Sequence, residues 1–255
     1  MTIGICDWGI GGLGLYDQLK RARPDLSIVY VSDEGSTPYT MLSKPELEER
    51  IQTLLTTLGG MGIDHCILAS DAASTTLDDI PTPRMKTTGV IEPTLRAMKA
   101  RRFREVGVIG GRRTILSGKY GRALRKLHFC VLQRISLDLC QELERGDNDP
   151  QHVRAILQEL LEPLLKSDGL LLASTHYRLV APLITELMPY AELIDPIQDT
   201  LEELLRTLPS ANSDLGQDIF YTTGDAQHFQ ARAKQAFHLD LKVGRLELPA
   251  SVMAA

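Results

Sequence analysis

Long hydrophobic runs are absent from the sequence, and no apolar segment approaches the roughly 20 residues needed to span a bilayer. The first residues, MTIGICDWGIGG, have neither the basic start nor the cleavage site of a signal peptide. No linker rich in Gly, Ser or Pro divides the 255 residues. These absences predict a soluble, cytoplasmic protein without membrane contact, built as one large domain or as two lobes of about 100 residues.

Cysteine is scarce, and its spacing excludes two kinds of site. The four cysteines, Cys6, Cys66, Cys130 and Cys140, form no CxxC pair, so neither a zinc site nor a dithiol redox pair is indicated. The six histidines show no metal-ligand spacing either. We therefore predict no metal, and we interpret all four cysteines as small buried hydrophobic residues in a reducing compartment.

Acidic residues are almost missing from one segment of an otherwise acidic chain. The net charge is −5, but residues 96–126 contain eleven Lys or Arg and a single acid, Glu105, and so carry +10. This basic segment is typical of a surface that binds nucleic acid, phosphate or an acidic protein. The alternative, which we favour, is that its side chains only solvate the outer faces of two helices.

Short β-rich runs alternate with stretches of helical periodicity along most of the chain. This pattern predicts an α/β fold in which helices flank parallel sheets. Ser43 and Glu46 form a capping box, Pro24 ends a helix that begins near Gly11, and Pro150 opens a later helix. The predicted strands are TIGICD, LSIVYVSD, HCILAS, TTGVIE, EVGVIG, FCVLQRI, GLLLAS, AELID and DIFYTT.

Two pairs of similar segments indicate an internal duplication. ILASDAAS and LLASTHYR begin 104 residues apart, at Ile67 and Leu171. IGICDWGIGG and VGVIGGRRT begin 103 residues apart, at Ile3 and Val106. Two pseudo-symmetric α/β lobes would present such turns at the carboxyl ends of their strands, where open parallel sheets bind ligands. We expect Ser70 and Ser174 to face each other across the cleft between these lobes.

Ordered motifs from Ile3 to about Asp225 carry a resemblance to a known family. DWGIGG from Asp7 is similar to that family's DSGIGG, and the pairs PYT with PYG, SDAAS with CNTAS, SGKY with SGxY, and ASTHYR with GCTHYP follow in order. The carboxyl-terminal FYTTGD is similar to the family's ending. The chain thus resembles the cofactor-independent aspartate/glutamate racemase family, and within it the glutamate racemases.

The resemblance implies an architecture and a ligand. It implies a discontinuous first lobe of residues 1–94 and 208–255, a second lobe of residues 95–207, and a small carboxylate or amino acid bound between them. It also implies that no cofactor is needed, and, because family members are often dimers, it makes a homodimer possible without fixing the oligomeric state. Carried onto this sequence, the residues of the reaction are Ser70 and Ser174 at the two proton-transfer positions, with Asp7, His176 and Glu144 as helpers.

The substrate-binding residues follow from the same motifs. They surround the two serines in the sequence, together with a threonine of the second lobe. The predicted set is Trp8, Pro38, Tyr39, Thr40, Asp71, Ala72, Thr114 and Thr175.

Departures from the family pattern fall on the positions that do the chemistry. The family uses a cysteine at each position held here by Ser70 and Ser174, and a serine hydroxyl is a far weaker acid than a thiol. Trp8 replaces a serine and fills space or stacks on a flat ligand, and Asp71 replaces an asparagine with a group that repels a substrate carboxylate. We therefore predict that two-thiol racemisation is weak, altered or lost.

Three functions stay open on this evidence. The first is an isomerase whose altered proton transfer uses His176 and Asp71. The second is a sensor or regulator that binds a small anion without chemistry. The third uses the basic segment as the working surface, against nucleic acid or an acidic protein.

Overall fold

The computed structural model describes residues 1–81, 85–136, 138–145, 149–211 and 214–249, without the side chains of residues 138, 141, 144 and 145. In these ranges all the strands pair in parallel. The strands are β1 (Thr2–Asp7), β2 (Ser27–Ser32), β3 (His65–Leu68), β4 (Lys86–Gly89), β5 (Glu105–Gly110), β6 (Cys130–Ile135), β7 (Gly169–Ala173), β8 (Glu192–Ile194), β9 (Asp218–Thr222) and β10 (Val243–Arg245).

The strands form two separate sheets. One sheet has the order β10-β9-β2-β1-β3-β4, so that strands from late in the chain complete the sheet begun at its start. The other sheet has the order β6-β5-β7-β8. The prediction of two α/β lobes with parallel sheets is thereby confirmed, while the limits 1–94 plus 208–255 and 95–207 remain a prediction.

Helices cover the faces of both sheets. No helix in the described ranges is long and apolar enough to cross a membrane. The helices are α1 (Leu13–Ala22), α2 (Lys44–Gly59), α3 (Asp71–Ser74), α4 (Ile91–Met98), α5 (Arg112–Ser117), α6 (Lys119–Lys126), α7 (Asp138–Arg145), α8 (Pro150–Leu161), α9 (Ala181–Leu187), α10 (Pro196–Thr207) and α11 (Ala226–Phe237), with short 3₁₀ helices at Glu162–Leu164 and Thr175–Val180.

Local sequence signals fix several of these boundaries. The capping box at the start of α2 is present, since the Ser43 side chain accepts from the Glu46 amide and the Glu46 carboxylate accepts from the Ser43 amide. Pro150 is the first residue of α8, a position where its missing amide hydrogen is harmless. These predictions are confirmed, and α1 ends at Ala22, shortly before Pro24.

The core lies on both faces of each sheet, as near-continuous apolar strands require. In the first lobe, Ile5 and Tyr30 pack with α11 on one face, while Cys66 packs with α2 on the other. Cys6 and Cys66 are buried with their sulfurs 3.6 Å apart. The interpretation of every cysteine as buried is wrong for Cys130, which is exposed because β6 is an edge strand.

Candidate active site

The carboxyl ends of β1, β3 and β7 enclose one cavity of about 390 Å³. Asp7 is the last residue of β1, Ser70 follows β3, and Ser174 follows β7. The lobes approach closely here, since a Cβ atom on Gly11 would lie 2.1 Å from Thr175 Oγ1. Any larger residue at position 11 would clash with Thr175, so a glycine there allows the two lobes to pack this closely.

The cavity gathers the predicted site residues. Ser70 and Ser174 share it from opposite lobes, which is the arrangement that the duplication predicts. Glu144 lies in α7, but its side chain is outside the described part of the chain. The other predicted residues all line the cavity: Asp7, Trp8, Pro38, Tyr39, Thr40, Ser70, Asp71, Ala72, Thr114, Ser174, Thr175 and His176.

On the first-lobe side, Ser70 serves as a helix cap. Its Oγ accepts a hydrogen bond from the Ala73 amide at 3.3 Å and so begins the short helix α3. The Ser74 hydroxyl donates to the Ser70 carbonyl oxygen at 2.8 Å. Ser70 is only 8% exposed, so this hydroxyl has a structural function in the turn as well as a place in the cavity wall.

Asp71, the next residue, is a buried carboxyl group with one unsatisfied oxygen. Its Oδ1 accepts from the Tyr120 hydroxyl at 2.7 Å, whereas its Oδ2 is buried without a hydrogen-bond partner in the described structure. Burial, reinforced by the charges of Asp7 and Asp195, raises the pKa of Asp71 to about 8, against the opposing bond from Tyr120. Asp71 is therefore mostly protonated at neutral pH.

Asp7 links the two lobes. Its Oδ2 accepts from the Thr175 hydroxyl of the second lobe at 2.9 Å, and its Oδ1 accepts from the Trp8 amide at 2.8 Å. Burial raises the pKa of Asp7, while the nearby His176 and these donors lower it. Burial lowers the pKa of His176 despite the Asp7 charge, so the imidazole is neutral at neutral pH.

On the second-lobe side, Ser174 has a thiol as its neighbour. Ser174 is extended and makes no capping bond, and its Oγ lies 3.3 Å from Cys140 Sγ on α7. The Cys140 sulfur is also 3.6 Å from the Tyr177 hydroxyl oxygen. Cys140 packs against the second-lobe core and also lines the cavity, because α7 brings it to the end of β7, 34 residues from Ser174 in sequence.

Two aromatic side chains shape the wall. The Trp8 indole donates through Nε1 to the Ser36 carbonyl at 3.0 Å, and its ring packs against the first-lobe core. The Tyr39 hydroxyl donates to Asp33 Oδ2 at 2.8 Å. Both rings are therefore held in place beside the cavity, and Trp8 both packs against the core and lines the ligand space.

Four charged or polar residues of the cavity escaped the sequence prediction. Arg232 and Glu34 form a buried ion pair in the cavity wall, and Asp225, the N-cap of α11, and His228, in its first turn, line the cavity as well. The FYTTGD match ends at Asp225 and gave the available signal for this part of the wall. No such signal existed for Glu34, which follows β2, or for Arg232, which lies within α11, because both are outside the matched motifs.

The basic segment is partly neutralised within the chain. Arg96 forms two bonds of 2.7 Å with Glu203, and Arg101 binds the buried Asp199 at 2.8 and 3.1 Å. Lys119 pairs with Asp78 of the first lobe at 2.6 Å. These pairs agree with a solvated helix surface, and a nucleic-acid or acidic-protein partner remains an untested prediction.

No cluster of three or more His, Cys, Asp or Glu side chains with the spacing of a metal site occurs among the described residues. The titratable side chains that line the cavity include Asp7 beside His176, Glu34 paired with Arg232, and Asp71 bonded to Tyr120, with Asp225 and His228 on the wall as well. The arrangement offers proton donors and acceptors on both sides of a small ligand.

Comparisons with known proteins identify the family. No protein-family model matches the chain. A glutamate racemase from Oceanobacillus iheyensis is 31% identical over 92% of this chain and 91% of its own length.

Solved structures of glutamate racemases are also similar to this chain. A glutamate racemase isoform from Bacillus anthracis has a TM-score of 0.88 with 26% identity, covering 97% of this chain and 98% of that one. The enzyme from Thermus thermophilus in complex with β-chloro-D-alanine has a TM-score of 0.85 with 25% identity, covering 96% of each chain. With the two lobes, the shared cavity and the ordered motifs, these matches show that the chain belongs to the glutamate racemase family.

Proposed function

We propose that this protein binds a small amino or carboxylic acid in the cavity and exchanges the proton on its α-carbon without a thiol at position 70 or 174. The observation that carries the proposal is the buried carboxyl group of Asp71, whose Oδ2 has no hydrogen-bond partner among the described residues and whose pKa is raised to about 8. A group with a pKa near the working pH both accepts and returns a proton efficiently. Asp71 therefore takes over, on the first-lobe side, the task that Ser70 is too weakly acidic to perform.

His176 supports the same chemistry from the second lobe. Its imidazole is buried and neutral beside Asp7. Environments that push the pKa values of an acid and a base in opposite directions are typical of acid/base catalysis. A neutral His176 keeps a proton acceptor in the cavity, and Asp7 stabilises the imidazolium that forms if it accepts.

The ligand class follows from the size and polarity of the cavity. A volume of about 390 Å³ lies at the small end of the range for ligand pockets and accommodates an amino acid. The Thermus thermophilus relative is in complex with β-chloro-D-alanine, an amino-acid derivative, which supports this class. Asp71 and Trp8 stand where the family has Asn and Ser, so we expect glutamate itself to be a poor substrate.

An exchange assay in deuterated water tests the proposal. The protein is incubated with a panel of amino and hydroxy acids, and deuterium at the α-position is measured by NMR. We expect at least one member to exchange, and we expect glutamate to racemise slowly. The double variant Ser70→Cys with Ser174→Cys is expected to raise glutamate racemisation, because it restores a thiol to each lobe.

Two results would contradict the proposal. Racemisation of glutamate by the unchanged protein at the rate of an efficient two-thiol enzyme would show that the substitutions do not alter the reaction. Failure to exchange any panel member, combined with a ligand that raises the melting temperature, would indicate a binding protein without chemistry. A no-protein control accounts for spontaneous exchange.

A further inference from the structure

Among the described residues that line the cavity, only Cys140 carries a thiol, the group that the family has at the position of Ser174. Its sulfur lies 3.3 Å from the Ser174 hydroxyl oxygen, at the position where the family carries a thiol. It reaches the cavity from α7, whereas Ser174 reaches it from the end of β7. The helix α7 of the same lobe therefore brings a sulfur atom within hydrogen-bonding distance of Ser174, the residue that stands where the family has a cysteine.

A second observation indicates that the space in front of this thiol is a ligand site. Asp71 lines the same cavity from the other lobe, is 3% exposed, and leaves its Oδ2 without a partner among the described residues. A buried carboxyl oxygen without a partner is costly unless a bound molecule satisfies it. The cavity thus has an unsatisfied acid/base group on one side and a thiol on the other, as proton transfer at two faces of a carbon requires.

We propose that Cys140 is the acid/base residue of the second lobe, its sulfur exchanging a proton with the α-carbon of the bound molecule on the face opposite Asp71. This assignment rests on the proposed function and names the atom that completes it. Ser174 then acts as a positioning residue, since its hydroxyl contacts the sulfur. Burial raises the pKa of Cys140 while the Ser174 and Tyr177 hydroxyls lower it, so the group holds its proton until the reaction needs it.

The proton balance is simple. The ionised Asp71 carboxylate removes the α-proton from one face, and the electrons of the broken C–H bond stay on the α-carbon. The Cys140 S–H gives its proton to the opposite face, where that electron pair forms the new C–H bond. The pair ends as protonated Asp71 and a Cys140 thiolate, and exchange of one proton from each group with water restores the starting form.

Moving the sulfur tests the assignment. We expect Cys140→Ser to lower α-deuterium exchange by roughly a hundredfold, as loss of an acid/base group does. The double variant Cys140→Ser with Ser174→Cys places the thiol on β7 instead, and we expect it to recover a large part of that loss. A purely structural role of Cys140 would not predict such recovery. Cys130→Ser is the matched control, because Cys130 is exposed on the edge strand β6.

Labelling provides a readout that does not depend on turnover. Iodoacetate is a small carboxylate electrophile that reacts with thiolates, so at an alkaline pH, where a thiol of raised pKa ionises, we expect it to alkylate Cys140 and the amino acid that exchanges best to slow the alkylation. Mass spectrometry distinguishes the Cys140 peptide from that of Cys130, which should label without protection. Melting temperatures of all variants establish that they fold.

The possible outcomes separate the two proposals. Full exchange in folded Cys140→Ser would overturn the role of Cys140 and leave the proposed function standing. Labelling of Cys140 that no ligand slows would also overturn it, because the sulfur would then not face the bound molecule. Absence of exchange in the unchanged protein would instead refute the proposed function, and the acid/base role of Cys140 with it.

Discussion

Ser70 and Ser174 occupy corresponding turns of the two lobes, but their surroundings differ. Ser70 accepts a backbone hydrogen bond and caps α3, whereas Ser174 makes no capping bond to the described residues and contacts the Cys140 sulfur. In the first lobe the strongest acid/base candidate is Asp71, the residue after Ser70. In the second lobe it is Cys140, which lies on the helix α7 and not in the turn that carries Ser174. Duplicated turns can therefore keep a common cavity while each lobe places a different atom in it.

The largest effect in this comparison is expected on the first-lobe side. Asp71→Asn keeps an oxygen that accepts from Tyr120 but removes the group that carries the proton. We expect α-deuterium exchange to fall by roughly a hundredfold or more. Exchange unchanged in the folded variant would show that the first lobe uses another group.

The ionisation of Asp71 also predicts how the exchange rate and the stability of the protein depend on pH, and Asp71→Asn is the variant for comparison. Since Asp71 must lose its proton to act as a base, wild-type exchange should increase as the pH rises through about 8. Its raised pKa also means that the folded protein loses stability as the pH rises from the ordinary Asp pKa toward about 8, by at most about 1.4 kcal/mol per pH unit. Asp71→Asn should remove this slope in melting temperature, and an identical slope in both proteins would contradict a buried neutral carboxyl group.

A smaller effect distinguishes the two serines directly. Ser70→Ala removes a helix cap, so we expect a loss of about 1 kcal/mol in the free energy of unfolding and little additional effect on exchange. Ser174→Ala removes the hydroxyl beside Cys140, so we expect exchange to fall by roughly tenfold with stability nearly unchanged. Denaturant unfolding and deuterium exchange on both variants give the comparison. Equal effects of the two substitutions would mean that the lobes are functionally symmetric.

Much of this geometry could be predicted from sequence because it follows from a parallel sheet. Each of the nine predicted runs contains a strand, although TTGVIE passes into α4 after Gly89. The carboxyl ends of parallel strands meet at one edge of a sheet, so the residues at the ends of β1 and β3 converge within the first sheet. That the end of β7, in the second sheet, faces them was predicted from the internal duplication and not from strand direction. The strand β10 was missed because it is three residues long with Gly244 at its centre.

What the sequence could not predict are contacts made by helix faces. Cys140 lies on α7 with no motif around it, and only the packing of α7 on the Thr175–Val180 helix brings its sulfur to Ser174. The ion pair of Glu34 with Arg232 joins residues 198 positions apart for the same reason. The unpartnered state of Asp71 Oδ2 also depends on three-dimensional packing, whereas the departure from the family's asparagine was visible in the sequence.

The smallest expected effect tests the joint between the lobes. Thr175→Val removes the hydroxyl that donates to Asp7 Oδ2 across the lobes, and Thr175→Ser retains it as the matched control. We expect a loss of about 1 kcal/mol in the free energy of unfolding for the valine variant only, because a buried carboxylate oxygen loses its donor. Losing that donor also raises the pKa of Asp7, which weakens its support of the His176 imidazolium. α-Deuterium exchange should then fall only a few-fold, because Asp71 and Cys140 keep their positions. A fall as large as that of Asp71→Asn would contradict this expectation, since it would show that the reaction depends on the Asp7–Thr175 hydrogen bond more than on Asp71 and Cys140.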